Sequence, residues 1–461
     1  MINLSTSKDT IFALATPPGV GAIGVIRVSG TKTFPIINNL FPKKDLINAK
    51  THTLHVGFLE YEHIVLDEVV LSLFKSPHSY TGEDVIEISC HGSVYIQQKV
   101  MEALSKSGAR IALPGEFTQR AFLNNKMDLA QAESVADIIA ANSEAAQQAA
   151  LKQLRGGFSS ELKSLREELI KLAALVELEL DFSEEDVEFV DRKDLRILVD
   201  KIYFYSNGLL DSFKLGNVIK NGVSVAIIGK PNAGKSTLLN ALLNEDRAIV
   251  SDIPGTTRDT IEEALNINGV LFRLIDTAGI RSDTADIIES FGVEKSLEKM
   301  RTADIIVYLF DASVETFETI NSKVQELKNE HLHFILVANK IDLLRDTTII
   351  SELKKSAEVI SISANKKVDI DKVKNELFHQ TVHGELKFEN TIVTNARHQS
   401  ALNKVVESLM DIKEGMDHNI SGDLLAPDIR KALHFLGEIT GDVEVDRDIL
   451  GTIFSKFCIG K

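Results

Sequence analysis

The segment GKPNAGKST at 229–237 has the spacing of a phosphate-binding loop. An apolar run, GVSVAII, precedes it and the helical pattern TLLNALL follows, so a strand and a helix flank the loop. In such a loop backbone amides surround the phosphates, a lysine neutralises the β- and γ-phosphates, and a serine hydroxyl binds Mg²⁺. We therefore predict nucleotide contacts from six residues, with Lys235 also catalytic and Ser236 also an Mg²⁺ ligand: Asn232, Ala233, Gly234, Lys235, Ser236 and Thr237.

Two segments that follow the loop are typical of the switch regions of a GTPase. GTTRD offers Thr257 as a second Mg²⁺ ligand. DTAG puts Asp276 at the end of a strand, near the water shell of the metal, and Gly279 where its amide can sense the γ-phosphate. The other predicted nucleotide contacts in these segments are Ser251, Asp252, Ile253, Pro254, Gly255, Thr256, Thr277 and Ala278.

Two later segments predict a pocket for guanine. NKID supplies Asn339, Lys340 and Asp342, and the carboxylate of Asp342 can accept from both N–H groups on the guanine edge, a pair that adenine lacks. SAN closes the base pocket through backbone amides at Ser363 and Ala364. Five motifs in this order predict a guanine-nucleotide hydrolase that binds GTP and GDP.

One position departs from the Ras pattern. Ras-type proteins place a water-orienting glutamine directly after the glycine of DTAG, whereas this chain has Ile280, which cannot orient water. Catalysis of hydrolysis therefore needs another group. The alternatives are an acid in the stretch that follows, an arginine finger, or a monovalent cation to which Asn232 could contribute its amide oxygen.

Composition limits the class of protein. The net charge is −16, from 51 basic and 67 acidic residues, which argues against a broad electrostatic surface for nucleic acid but not against a local basic patch. Two cysteines exclude a disulfide framework and a zinc ribbon, and they suit a reducing compartment. No apolar run reaches the roughly 18 residues of a membrane span, and the N-terminus resembles no targeting peptide. We expect a cytoplasmic protein without a membrane segment.

Four stretches differ in their sequence pattern. Residues 1–125 contain short alternating segments separated by glycine and proline, which predicts a small α+β domain. Residues 126–218 and 383–461 have helical periodicity, with Leu162, Leu165 and Leu169 on one stripe. Between them, at 219–382, apolar strands alternate with helices, as in a parallel sheet. The predicted fold is an α/β Ras-like G domain inserted into an all-α helical domain, preceded by a small α+β domain.

The segment GVGAIG at 19–24 matches the glycine spacing of a dinucleotide-binding fingerprint. That fingerprint requires a helix next, whereas the following VIRVSG alternates like a strand. We therefore expect a glycine-rich segment that leads into a strand.

Three segments outside the G motifs carry a resemblance to a known family: YTGEDVIEISCHG, GEFTQRAFLNNKMDLAQAE and the terminal CIGK. With the G motifs, they make the chain similar to the MnmE (TrmE) family of tRNA modification GTPases over essentially its whole length. The resemblance implies a homodimer that acts with a flavin-dependent partner, MnmG (GidA). Together they would add carboxymethylaminomethyl or aminomethyl groups to C5 of the wobble uridine, position 34, of certain tRNAs.

The same resemblance implies functional residues. The family binds 5-formyl-tetrahydrofolate, or a related one-carbon folate, in its N-terminal domain. Its G domains pair across the dimer around K⁺, which replaces the arginine finger, and Glu289 matches the family's water-orienting glutamate. The matching folate positions are Arg27, Glu87, Lys126 and Lys461, and the matching K⁺ positions are Asn232, Ser251, Ile253 and Thr256.

Cys458 is the fourth residue from the end of the sequence, where a lipid-anchor cysteine would be. CIGK fails as a prenylation box at Gly460 and Lys461. Two interpretations remain open. A free cysteine is usually a buried packing residue, whereas the resemblance directs this tail at the folate site and implies a catalytic role in one-carbon chemistry.

A different class of protein has the same G motifs. An Era-like ribosome-assembly GTPase would bind ribosomal RNA as a switch and would catalyse no modification. Such proteins usually carry an RNA-binding module with a basic face, and no such module is visible in this acidic sequence.

GTP hydrolysis is expected to be markedly faster in K⁺ than in Na⁺ at one ionic strength, because the cation would replace the missing arginine finger. The Glu289→Ala variant should lose this gain, because no group would then orient the attacking water. Steady-state phosphate release in both salts is the measurement. Equal rates in K⁺ and Na⁺ would rule out the cation mechanism.

Overall fold

The computed structural model describes residues 9–181, 192–246, 263–275, 301–344, 348–354, 357–382, 391–418, 420, 422–442, 450, 453–455, 457, 458 and 460. The chain forms two compact units. The first unit comprises residues 1–139, 153–195 and 411–461, and the second comprises residues 140–152 and 196–410. Of the helices in the described ranges, none has the length and apolar character that a membrane crossing requires.

The strands of the described residues are, in chain order, β1 (Ile11–Leu14), β2 (Ile23–Ser29), β3 (Thr53–Tyr61), β4 (Ile64–Phe74), β5 (Val85–His91), β6 (Arg110–Ile111), β7 (Val223–Ile228), β8 (Glu263–Ile267), β9 (Val270–Ile275), β10 (Ile305–Asp311), β11 (Phe334–Asn339) and β12 (Val359–Ser361). The helices are α1 (Thr33–Leu40), α2 (Val94–Lys106), α3 (Glu116–Leu123), α4 (Leu129–Ala140), α5 (Glu144–Leu154), α6 (Gly157–Asp181), α7 (Arg192–Asn221), α8 (Lys235–Asp246), α9 (Phe317–Asn329), α10 (Thr348–Leu353), α11 (Ile370–Thr381), α12 (Ala396–Asp417) and α13 (Gly422–Thr440).

The first unit contains a six-stranded sheet of order β3-β4-β5-β2-β1-β6. Its pairs are antiparallel except β1 with β6. Alternation along β5 puts Ile86 and Ile88 into the core with α1 and α2, while Glu87 lies on the opposite face. The strand expected after GVGAIG is confirmed, since β2 begins at Ile23.

The helical part of the first unit confirms the predicted stripe. On α6, Leu162, Leu165 and Leu169 are buried, and this helix packs against α13. A second apolar cluster joins Leu129 of α4 to Phe454 near the end of the sequence. The C-terminal segment therefore packs on α4, the second helix after the N-terminal sheet.

The second unit contains a six-stranded sheet of order β12-β11-β10-β7-β9-β8. All its pairs are parallel except β8 with β9. The strands are mostly apolar because both faces are covered, and all seven residues of β10 are buried. This order and the single antiparallel edge strand confirm the predicted Ras-like α/β domain, and β10 lies between β7 and β11.

A buried ionic network supports one end of the N-terminal sheet. Arg120 of α3, 6% exposed, donates to both carboxylate oxygens of Glu83 and to Glu116 at 3.0–3.2 Å. Arg110, at the start of β6, donates to both oxygens of Glu116 at 2.6 and 2.8 Å, and both arginines bond the side chain of Asp9. Each buried carboxylate therefore has cationic partners, which burial requires.

Glu116→Gln is expected to lower the free energy of unfolding at pH 7 by about 3 kcal/mol, because both arginines lose a buried partner. Burial raises the pKa of Glu116, but hydrogen bonds from Arg110, the Leu113 amide and Arg120 outweigh it and hold that pKa below its usual range. A lowered folded-state pKa means that the stabilisation is complete above the unfolded pKa and is lost as pH falls through the folded pKa.

Hydrogen exchange of the backbone amides in β1 and β6, measured between pH 7 and pH 3.5, would report on the stability of this region. The difference between the native chain and the variant should shrink as the pH falls. The control is Glu102→Gln, an exposed acid paired with Lys99, and its effect should stay within about 0.5 kcal/mol. A difference that does not vary with pH would contradict the role given to the Glu116 carboxylate.

Candidate functional site

The phosphate-binding loop runs from the end of β7 to the start of α8. Its backbone is left-handed at Asn232 (φ 63°) and at Gly234 (φ 96°), a conformation that forms concave, anion-binding arrays of amides. A Cβ at Gly234 would lie 2.3 Å from Nδ2 of Asn339. Lys235 Nζ donates to the carbonyls of Gly229 and Lys230 at 2.7 and 3.0 Å, so its ammonium lies against the loop itself. This geometry fits a polyphosphate.

Asn339 joins the phosphate loop to the SAN segment. Its side chain is buried, Nδ2 donates to the carbonyl of Ala233 at 2.8 Å, and Oδ1 accepts from the amide of Ala364 at 3.0 Å. The structure therefore brings NKID and SAN together with the loop after β7, as the sequence predicts for a single nucleotide pocket.

Asp342 has the ionisation state that guanine recognition needs. Its Oδ1 accepts from the hydroxyl of Ser363 at 2.7 Å, and its Oδ2 lies 3.4 Å from Lys366 Nζ. The hydrogen bond from the Ser363 hydroxyl is the largest cause of the lowered pKa of Asp342, and Lys366 adds to it. A carboxylate in this state accepts two N–H groups, which suits the guanine edge.

Sequence reasoning missed two acids beside these motifs. Asp311 accepts from Lys340 Nζ at 2.6 Å, and Glu315 pairs with Lys230 Nζ at 3.2 Å. The signal that could have found them is the segment LFDASVE, in which acids directly follow an apolar strand. Parallel strands present such residues at the edge where ligands bind.

Several predicted nucleotide and metal residues lie outside the described residues. They are Ser251, Asp252, Ile253, Pro254, Gly255, Thr256, Thr257, Asp276, Thr277, Ala278, Gly279 and Glu289. Of the predicted Mg²⁺ and K⁺ ligands, the structure describes Ser236, at the start of α8, and Asn232 in the loop. No group of three metal-ligating His, Cys, Asp or Glu side chains occurs among the described residues.

A second polar site lies on the face of the N-terminal sheet opposite α1 and α2. Arg27 of β2 is the register partner of Glu87 of β5, and its Nε and Nη2 both lie 2.9 Å from Glu87 Oε1. Arg27 Nη1 also donates to the carbonyl of Gly460 at 3.4 Å. The structure thus brings two predicted folate residues together beside the C-terminal segment.

The Arg27 guanidinium lies over two aromatic rings. Its Cζ lies 5.0 Å from the ring centre of Tyr80 and 5.6 Å from that of Phe117. The Tyr80 hydroxyl is hydrogen-bonded to the buried Thr118 hydroxyl at 2.8 Å, so the ring has a fixed position. A guanidinium held between aromatic rings keeps one orientation, and sequence reasoning had not identified these rings.

The other predicted folate residues are Lys126 and Lys461. Lys126 Nζ donates to the carbonyl of Pro77 at 3.0 Å, in the loop that carries Tyr80, and Lys461 lies outside the described residues. Cys458 is exposed, so the alternative of a buried packing cysteine is wrong. The buried cysteine is Cys90, and burial raises the pKa of its thiol.

The fold and the nucleotide motifs define the class of protein. A parallel sheet with a phosphate-binding loop after β7 and NKID after β11 is the domain of a GTP hydrolase. At the second of these loops lies Asp342, whose carboxylate accepts a hydrogen bond from the Ser363 hydroxyl.

Comparisons with known proteins give the family. The family described as GTP-binding protein TrmE N-terminus matches residues 10–126, and the MnmE helical domain matches residues 129–458. The tRNA modification GTPase MnmE of Cytophaga hutchinsonii is 53% identical over 458 residues, which cover 99% of each chain. That of Flavobacterium johnsoniae is 51% identical over 467 residues, covering 99% of this chain and 100% of its own. The chain belongs to the MnmE family of tRNA modification GTPases.

A solved structure also matches part of the chain. The crystal structure of an Aquifex aeolicus Era variant bound to GDP and AlF4− is 29% identical, with a TM-score of 0.28. The match covers 41% of this chain and 67% of the Era chain.

Gly234→Ala is expected to weaken GDP binding by more than about tenfold, because the new methyl group would displace the Asn339 amide and the left-handed backbone disfavours alanine. Titration calorimetry with GDP measures the effect. Gly208→Ala on α7 is the matched control, since a Cβ there meets nothing within 4 Å. Unchanged affinity in Gly234→Ala would show that the loop adopts another conformation when nucleotide binds.

Proposed function

We propose that this chain hydrolyses GTP to drive modification of tRNA, in complex with a flavin-dependent MnmG (GidA) partner in the cytoplasm. The modification would add a carboxymethylaminomethyl or aminomethyl group to C5 of uridine 34. The observation that carries the proposal is the similarity to relatives named tRNA modification GTPase MnmE, which extends over 99% of this chain. An Era-like switch would share the G domain but not the matched N-terminal and helical segments.

The described loops support the nucleotide assignment. Lys235 would neutralise the phosphates, Ser236 with Thr257 would hold Mg²⁺, and Asp342 would bind the guanine edge. Bound Mg²⁺ would withdraw charge from the β- and γ-phosphate oxygens. For K⁺, the left-handed backbone at Asn232 places an amide side chain in the phosphate loop, which fits a cation ligand at that position.

The site around Arg27 supports the folate assignment. A guanidinium fixed between two rings can bind a carboxylate with two hydrogen bonds, and the neighbouring Glu87 can accept from the amino group of a pterin. Arg27 has 13% of its side chain exposed and Glu87 has 28%, so both remain accessible from one face of the sheet. The exposed Cys458 lies two residues from the Gly460 carbonyl that Arg27 contacts, which suits a part in one-carbon chemistry.

The edge strand β3 of the same sheet supports a homodimer. Leu54, Val56 and Phe58 alternate along the edge strand β3 and are 70%, 57% and 39% exposed. Exposed apolar side chains on an edge strand promote aggregation of a monomer. A second copy of the chain would cover them. The dimer would then form on the sheet that carries Arg27 and Glu87.

Arg27→Met is expected to weaken 5-formyl-tetrahydrofolate binding by more than about tenfold, because the charge-assisted hydrogen bonds to the ligand would be lost. In cells that lack the native gene, the variant should also fail to restore the modified wobble uridine, measured by nucleoside mass spectrometry. Lys99→Met, an exposed lysine on α2, is the control and should behave as the native chain.

The two readouts separate the alternatives. Folate binding that survives Arg27→Met would remove the folate assignment while leaving the GTPase intact. A native chain that hydrolyses GTP but restores no modified uridine would overturn the tRNA proposal and favour the Era-like switch.

A further inference from the structure

The strand β10 occupies a special place in the second sheet. It is hydrogen-bonded to β7 on one side and to β11 on the other, and all three strands are parallel. The phosphate loop follows β7 and NKID follows β11, so the connection from β10 to α9 emerges at the same edge, between the two motifs.

At the base side of this connection, Asp311 holds Lys340 of NKID. Asp311 is the last residue of β10 and the register partner of Asn339. Its Oδ2 accepts from Lys340 Nζ at 2.6 Å, and its Oδ1 accepts from both the amide and the hydroxyl of Ser313 at 3.0 and 2.6 Å. Burial raises the pKa of Asp311, but Lys340 and Ser313 outweigh it and keep the group charged.

At the phosphate side, Glu315 holds Lys230 of the phosphate loop. Its Oε2 lies 3.2 Å from Lys230 Nζ, and only 5% of the Glu315 side chain is exposed. Its Oε1 accepts from the amide of Asp311 at 3.2 Å, and its own amide donates to the Asp311 carbonyl at 3.0 Å. The two acids therefore belong to one hydrogen-bonded turn.

We propose that Asp311 and Glu315 are positioning residues that fix the two halves of the nucleotide pocket, each through one lysine. Asp311 orients the guanine motif through Lys340, and Glu315 orients the phosphate loop through Lys230. This inference rests on the nucleotide assignment proposed above. Neither acid would touch the nucleotide.

The physical reason is the small exposure of both carboxylates. A carboxylate that has lost most of its contact with water holds a cationic partner closely, although Lys230 and Lys340 themselves remain 53% and 30% exposed. An amide in place of either carboxylate keeps the shape of the turn but loses the charge that holds the lysine. The loop on that side would then gain freedom, while the loop on the other side keeps its own ion pair.

The test compares GDP with two analogues that each lack one feature. IDP lacks the exocyclic amine that Asp342 would bind, so the affinity ratio of GDP to IDP reports on the guanine motif. GMP lacks the β-phosphate, so the ratio of GDP to GMP reports on the phosphate loop. Asp311→Asn is expected to lower the first ratio by about tenfold and the second by less than about twofold. Glu315→Gln should show the opposite pattern.

The control is Glu318→Gln on α9, an acid one turn away from Glu315 that contacts neither lysine, and it should leave both ratios unchanged. A purely structural role for the two acids would lower all three affinities together and leave the ratios as they are. That outcome, or an equal change of both ratios in each variant, would overturn the inference.

Two milder variants cover the case in which an amide variant does not fold. Ser313→Ala removes one bond to Asp311 Oδ1 and should lower the GDP to IDP ratio by about threefold. Glu315→Asp shortens the side chain away from Lys230 and should lower the GDP to GMP ratio. A native chain with no preference for GDP over IDP would contradict the proposed nucleotide function itself, whereas native preferences that persist in every variant would contradict only this inference.

Discussion

The side-chain amide of Asn339 is the interaction on which the nucleotide end of the second unit depends. An asparagine amide has one donor side and one acceptor side, and here the donor side is used by the Ala233 carbonyl and the acceptor side by the Ala364 amide. Because the group is buried, neither bond can be exchanged for water without cost. The phosphate loop and the base segment therefore keep one spacing, which a nucleotide of fixed length requires.

The nucleotide loops and the Arg27 site are kept in position by different kinds of interaction. In the second unit the loops are joined by hydrogen bonds between motifs that leave the same edge of a parallel sheet. In the first unit, Arg27 is fixed by its register partner on the next strand and by two rings from elsewhere in the sequence. The buried arginine network holds Glu83, which lies in the same loop as Tyr80, so the ionic core of that unit also supports the ring beside Arg27.

The sequence predicts those features that depend on residues close together in the chain, and it misses those that depend on residues far apart. The phosphate loop, NKID and SAN are local patterns, so the sequence was sufficient to predict the inserted α/β domain and the proximity of these three segments. The pairs Asp311–Lys340 and Glu315–Lys230 depend on the placement of β10 between two strands that are distant in sequence, and no local pattern encodes that. Arg27 and Glu87 were predicted only through the family resemblance. Strand register is set by the whole sheet, so local spacing alone cannot pair these two residues. Tyr80 and Phe117 were missed for the same reason.

The hydrogen bond from Arg27 to the Gly460 carbonyl has a consequence for biosynthesis. These two residues are 433 positions apart in the chain. At the usual rate of translation, roughly 20 to 90 s separate their appearance on the ribosome. The whole second unit is made during that interval, and domains generally fold as units while the chain grows. The guanine-nucleotide domain can therefore be complete while the site on the N-terminal sheet still lacks its C-terminal partner.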